Sequence, residues 1–248
     1  MSGSVERALH ILVELAKGPA TISEVGRRLD VHRTTSLRLL RVLEGERFVR
    51  RGADGRYQLG PRMRMLAHTA VESLDIRTAA AEHLRGLGDR CGHTVHLAGL
   101  EERSVVYLDK VESRHAIRMY SRIGAVAAPH ATGVGKAILA QMSSDERGRF
   151  LQTPPFRRYT PHTLTTREEL DRELERVCRQ GWAMDDFEHE EFIHCVAAPV
   201  RDVAGVVCAA VSVSVPRMVL ERDELLALVP DVVTTADAVS EELGWDHP

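Results

Sequence analysis

TISEVGRRLDVHRTTSLRLLRVLE, residues 21–44, decides the fold of the first part of this chain. Thr21, followed three residues later by Glu24, is a capping box: side chain and backbone satisfy one another at a helix start. Ile22, Val25 and Leu29 then share one side of a short helix that breaks at Asp30-Val31. A second helix is expected from about Arg33 to Glu44, with Leu39, Leu40 and Leu43 turned to a core. Arg33, Thr34, Thr35, Arg38 and Arg41 are left largely outward. Two short helices joined by a tight break, the later one starting in Arg and Thr, form a helix-turn-helix. Its later helix lies in a DNA major groove, with its first residues on the base edges.

The flanks fit this reading. Upstream, Val5, Ala8, Leu9, Leu12 and Leu15 recur at helical spacing over residues 4–17, and Gly18-Pro19 ends that helix. Downstream, FVRRGADGRYQLG (48–60) alternates Val49, Tyr57 and Leu59 inward around Asp54-Gly55, a hairpin signal. Arg50, Arg51 and Arg56 are then expected to project as a basic wing toward phosphate. Residues 1–64 hold 13 Lys+Arg against 7 Asp+Glu, whereas the rest holds 20 against 29. A basic head on an acidic body suits a nucleic-acid-binding module, because phosphate contacts supply most of the affinity.

After Pro61, residues 62–74 (Met63, Leu66, Ala70, Leu74) read as a linker helix, and a further helix follows at about 76–88. HTVHLAGLEERSVVYLDKV (93–111) reads as two strands and AIRMYSRIG (116–124) as a third. Helices are expected at 134–142 and at 166–180, the latter opened by the Thr166/Glu169 capping box. Strands at 193–201 and 206–214 precede a last helix over 218–243. Mostly antiparallel strands with helices on one side define an α+β body. Expected domains are a winged helix-turn-helix over 1–61, a linker over 62–75, and an effector-binding and oligomerisation domain over 76–248.

If the last two strands pair about Asp202–Gly205, Cys195 falls opposite Ser212. Alternation then gathers Cys195, Ala197, Ala210, Ser212 and Ser214 on one face and Val196, Val200, Val211, Val213 and Val215 on the other. The small polar face leaves room for a ligand, although tight packing against a helix would use the same residues. A second candidate is His130-Ala-Thr-Gly-Val-Gly-Lys136, where glycines opening a helix bare backbone N–H groups to an anion. A third is Asp185-Asp186.

SVERALHILVEL, TISEVGRRLDVHRTTSLRLLRVLEGERFV and GRYQLGPRMRMLA resemble the N-terminal domain of IclR-type regulators. PHATGVGKAILA and GWAMDDFEHEEFIHCVAAPV, with AAVSVSVP, resemble their effector-binding domain, which is GAF-like. The resemblance covers nearly the whole chain. Thr34-Thr35 stands where the family has a Ser-Thr pair. The resemblance implies a small carboxylate or related metabolite held by Gly133 and Val134, Asp185, Cys195, Ser212 and Ser214. Met119 and His130 complete the candidate ligand contacts. Phe192 stands where the family commonly has Gly, so a ring beside the pocket is expected to alter its size.

Other chemistry fails on spacing. GVGKA lacks the Gly and the Ser/Thr of a phosphate-binding loop, and His189 and His194 are five apart where a zinc-protease helix needs four. A Cys195 nucleophile with His130 or His194 as base lacks a third, orienting group. A metal on His130, Asp185 and Cys195 is chemically reasonable, but acid, thiol and hydroxyls serve an organic ligand directly. No apolar run suits a membrane span, and Glu6 and Glu14 interrupt any secretion signal, so a cytoplasmic protein is expected. The four cysteines form no CxxC pair.

The expectation is a non-enzymatic, cofactor-free, ligand-responsive regulator on double-stranded operator DNA. Half-sites a helical turn apart require a homodimer or homotetramer. The resemblance implies repression of a catabolic operon, with IRMYSRIG and TGVGKAIL most similar to members controlling sugar-acid catabolism. The alternatives are a small-molecule enzyme with a DNA-binding appendage and a DNA-binding oligomer without a ligand.

Overall fold

Thr21 and Glu24 make the reciprocal bonds of a capping box in the computed structural model, Thr21 Oγ1 accepting from Glu24 N at 3.3 Å and Glu24 Oε2 from Thr21 N at 2.7 Å. The structure describes residues 3–73, 75–115, 121–151 and 153–246, and the chain divides into two units, Met1–Leu74 and Asp75–Pro248.

The first unit contains α1 (Ser4–Ala16), α2 (Ile22–Arg28), α3 (Arg33–Gly45), β1 (Val49–Arg51), β2 (Tyr57–Leu59) and α4 (Pro61–Ser73). Ile11, Leu15, Val25, Leu39, Leu40, Val49 and Tyr57 form its buried core. Gly26 lets α2 and α3 approach, since a Cβ there would lie 3.0 Å from Val31 O and 3.2 Å from Ser36 Oγ. β1 and β2 pair antiparallel, and Ala20 adds a bridge to Tyr57 through bonds of 2.9 and 2.8 Å. The wing is thereby sewn to the segment between α1 and α2. Met65 and Leu66 of α4 are exposed.

The second unit begins with α5 (Ile76–Cys91), β3 (Thr94–Glu101), β4 (Ser104–Val111), β5 (Val126–Ala127), α6 (Gly133–Leu139), α7 (Ser144–Phe150) and α8 (Arg167–Gln180). It continues with β6 (Ala183–Asp186), β7 (Ile193–Arg201), β8 (Val207–Pro216), α9 (Arg222–Leu226) and α10 (Val229–Glu242). The strands form one antiparallel sheet in the order β5-β4-β3-β8-β7-β6. Val95, Leu97, Val196, Val211, Val213 and Val215 pack beneath Leu84 and Leu87 of α5 and Val239 of α10. The opposite face carries small residues, Ala98, Ala197 and Ala210, against Ala137 and Ile138 of α6 and Leu174 of α8.

Helices therefore cover both faces, not one. Branched side chains on one face and alanines on the other are two apolar surfaces, and each demands a cover. The strand expected at 116–124 is corrected in part. Residues 116–120 lie outside the described residues, while Ser121–Gly124 turn into β5 through Ala125 N to Arg122 O at 3.1 Å. The last helix is divided, α9 ending at Leu226 and α10 carrying Pro230 in its first turn, where a missing N–H costs nothing. α7, capped by Ser143 and Glu146, was not anticipated.

The final hairpin pairs two residues away from the expected register: Cys195 opposes Ser214, and Ala197 opposes Ser212. The loop closes at Asp202–Val206, where Asp202 Oδ1 accepts from Ala204 N and Val206 N, and Gly205 sits at φ 76°. A bulge at Val200/Arg201 adds the second residue of slip. An even slip preserves the faces, so Cys195, Ser212 and Ser214 still share one.

Candidate functional site

α3 presents Arg33, Thr34, Arg38 and Arg41 to solvent, with Thr35 half-buried beside the buried Ser36. His32 caps this helix, its Nδ1 accepting from Thr34 N at 3.4 Å and lying 2.9 Å from Thr34 Oγ1. It is exposed at the end meant for base edges, and no periodicity or motif in the sequence marks it.

The wing is less basic than expected. Arg50 and Arg51 are exposed, with Arg51 Nε turned back to Gly55 O at 3.3 Å. Arg56 does not project. Its guanidinium bonds Glu24 at 3.1 and 3.5 Å and Pro19 O at 3.1 Å, fastening the wing to α2. Glu24, already the capping partner of Thr21, supplies the charge that holds it.

In the second unit a cavity of about 260 Å3 opens on the small-residue face of the sheet. Asp185, Cys195 and Ser214 are successive cross-strand partners over β6, β7 and β8, and Ser212 stands in the next row. These four line the cavity with Val134 of α6. Gly133 does not line it. The glycine lies against β7, where a Cβ would come 2.6 Å from Cys195 Sγ, so its role is to let α6 start close to the sheet. The amide of Gly135 is taken by Thr132 Oγ1 at 3.2 Å.

His130 is placed elsewhere, in a neighbouring cavity of about 280 Å3, with Nε2 2.9 Å from Arg157 O. Among the described residues no cluster of His, Cys, Asp or Glu is arranged to hold a metal ion. Met119 lies outside the described residues. Phe192 is 64% exposed and does not line the Asp185 cavity. It precedes β7, and alternation sends Ile193 into the cavity and the ring of Phe192 outward, correcting the expected change in pocket size.

Tyr107, Thr132, Arg122, His189 and Glu190 also line the cavity and were not found by pattern. Behind Ser214, His96 is buried, its Nε2 2.7 Å from Ser121 Oγ and its Nδ1 3.5 Å from Ser214 Oγ. Burial, aided by Lys110, pushes this imidazole down to about 3. It is therefore neutral, one nitrogen donating and the other accepting, and it ties the floor to the rim.

Asp185 Oδ1 accepts from Glu188 N at 2.7 Å and His189 N at 3.3 Å. Burial pushes its carboxyl up to about 7, against the pull of Lys136. Lys136 is completely buried, bonded to Glu188 and 3.6 Å from Glu173. Burial and the neighbouring Asp185 raise the Cys195 thiol to about 12. A thiol that stays protonated is no nucleophile at neutral pH.

The chain matches the IclR helix-turn-helix domain over residues 4–53 and the bacterial transcriptional regulator IclR C-terminal domain over residues 68–241. It is 34% identical to the HTH-type transcriptional regulator KdgR of Dickeya chrysanthemi, over 92% of this chain and 75% of that protein. It is also 34% identical to the HTH-type transcriptional regulator XynR of Escherichia coli K12, over 98% and 97% of the two chains. The crystal structure of the Agobacterium tumefaciens repressor BlcR superposes with a TM-score of 0.84 at 29% identity, over 98% of each chain.

Proposed function

This chain belongs to the IclR family of transcriptional regulators, and on that premise we propose that it is a repressor whose hold on DNA is set by a small carboxylate metabolite. The α3 face, with Arg33, Thr34, Thr35, Arg38 and Arg41, reads the major groove, and Arg50 and Arg51 contact phosphate. Residues 1–61 form the DNA-binding domain, 62–75 the linker, and 76–248 the effector-binding and oligomerisation domain. Two copies meet the two half-sites of a symmetric operator.

The observation that carries the ligand reading is the row Asp185–Cys195–Ser214, closed by Val134 and Ser212 around one cavity. Acid, thiol and hydroxyl groups converge there beside the apolar Val134 and Ile193, and a concave lining with convergent polar groups is the usual construction of a small-molecule site. A sugar acid is the favoured class, because its carboxylate can accept from the hydroxyls of Ser212 and Ser214 while its own hydroxyls can pair with other polar groups of the lining, among them Tyr107 and Glu190.

Selection of duplexes from a random library tests the DNA reading. A two-fold symmetric sequence should be enriched, and its affinity should fall in Arg33→Ala and Arg38→Ala. A thermal-shift screen of metabolite acids tests the cavity. At least one should raise the melting temperature of the wild type but not of Asp185→Ala. Stabilisation that survives Asp185→Ala would place the ligand elsewhere.

A further inference from the structure

Three carboxylates and two cations meet beside the cavity. Lys136 of α6 bonds Glu188 and approaches Glu173 of α8, and Arg176, also of α8, bonds Glu173 at 2.9 Å. Asp185 completes the group. It lies within the field of Lys136 and Glu188, and both of its described bonds come from backbone N–H groups to Oδ1. The cluster is electrically neutral when one carboxylate carries a proton. Asp185 is the member with no cation in hydrogen-bond contact among the described bonds, and the only one of the three carboxylates lining the cavity. An ionised Asp185 would leave the cluster with a net negative charge facing an incoming anion, at a cost that a buried site does not tolerate.

We propose that Asp185 meets an anionic effector as the neutral acid, so that a carboxylate enters the cavity together with a proton. The proposal rests on the carboxylate reading of the site given above. The acid O–H of Asp185 then donates to the ligand oxygen, alongside the hydroxyls of Ser212 and Ser214, and the shared proton comes from solvent.

The surrounding groups are consistent with this assignment. The Cys195 thiol facing Asp185 from β7 titrates near 12, and burial raises the Tyr107 phenol of β4. Burial lowers His189, which follows β6, against the pull of Glu190. Glu188 is raised by burial against the pull of Lys136. Asp186 alternates to the other side of β6 and pairs with Arg222 at 2.9 Å. Arg122 and Glu190, one of each sign, stand in the same lining. Asp185 itself, near 7, is the group whose charge changes where the cell operates.

The linkage has a definite sign. Affinity for a carboxylate is constant while Asp185 is protonated and falls as pH rises through its titration, approaching tenfold per unit. Calorimetric titration of the full chain with glycolate, glycerate and gluconate, against uncharged glycerol and glucitol, tests it. Measurements at pH 6 and 8, in buffers of different ionisation heat, give both affinity and protons exchanged. The expected result is a carboxylate bound about tenfold more weakly at pH 8, with about one proton taken up there. Asp185→Asn should bind that carboxylate with no pH dependence and no proton uptake. Carbon-13 carboxyl spectra, with Asp185→Asn assigning the signal, should show Asp185 titrating above pH 6. A signal titrating below pH 5, or pH-independent binding without proton uptake, overturns the proposal. If no carboxylate binds at either pH while Asp185 still titrates above 6, the carboxylate reading of the cavity fails, and the proposal falls with it.

Discussion

Lys136→Met removes the one cation at the centre of the buried cluster and nothing else of comparable size. The lysine side chain is fully buried, and the side chains of its partners Glu188 and Glu173 are 9% and 14% exposed. Breaking such a pair by deleting one member costs about 3–5 kcal/mol, because the charge left behind is neither solvated nor paired. The second unit has about 170 residues, and unfolding releases roughly 2.1 cal/mol/K per residue, so the melting temperature should fall by about 8–14 °C. The deficit should depend on pH. Glu188 is already held above the usual carboxylate range and rises further without its cation. A folded state that binds a proton more tightly than the unfolded one loses stability as pH rises between the two titrations. The deficit is therefore largest at pH 8 and shrinks toward pH 5. Trp182 and Trp245 both lie in the second unit, so tryptophan fluorescence follows its melting alone. Adding Glu188→Gln should recover part of the loss. A melting temperature within about 2 °C of the wild type at pH 8, or equal deficits at both pH values, would refute the reasoning.

Further substitutions probe the two sites. Arg33→Ala should weaken binding to the selected duplex and relax its base preference, whereas Arg50→Ala should lower the slope of log affinity against log salt by about one. Arg56→Ala should leave that slope near the wild-type value, because its guanidinium is committed to Glu24 and Pro19; equal losses of slope would mean that Arg56 leaves Glu24 to reach phosphate. Gly133→Ala places a methyl 2.6 Å from Cys195 Sγ and 3.3 Å from Ala197 Cβ, so α6 must lift from the sheet. The expected cost is about 1–3 kcal/mol by chemical denaturation, and an unchanged midpoint would show that the helix start has slack.

What could be read from sequence was set by interactions a few residues long. The Thr21/Glu24 and Thr166/Glu169 boxes close within one helical turn and stand as expected. The shared face of Cys195, Ser212 and Ser214 follows from strand alternation, which holds whatever the turn does in steps of two. The register itself depends on the Asp202 carboxylate inside the loop and on a bulge, and neither shows as a pattern. Tyr107 reaches the cavity across the ladder and past the bulge at Leu97/Ala98, so nothing near it in the sequence marks it. Arg56 looked like a phosphate ligand because its partner, Glu24, is 32 residues away. His130 precedes the glycine-rich start of α6 but bonds Arg157 and faces the neighbouring cavity.

The central claim is that occupation of the Asp185 cavity changes the grip of the α3 face on DNA. Its most direct test is the fluorescence anisotropy of the selected duplex with the full chain, titrated with an acid that stabilises the wild type. The acid should change DNA affinity by about 5- to 150-fold, the usual range of coupling between sites. Asp185→Ala should bind the duplex as tightly as unliganded wild type yet ignore the acid. DNA affinity that stays constant while the acid saturates the wild-type cavity would contradict the claim.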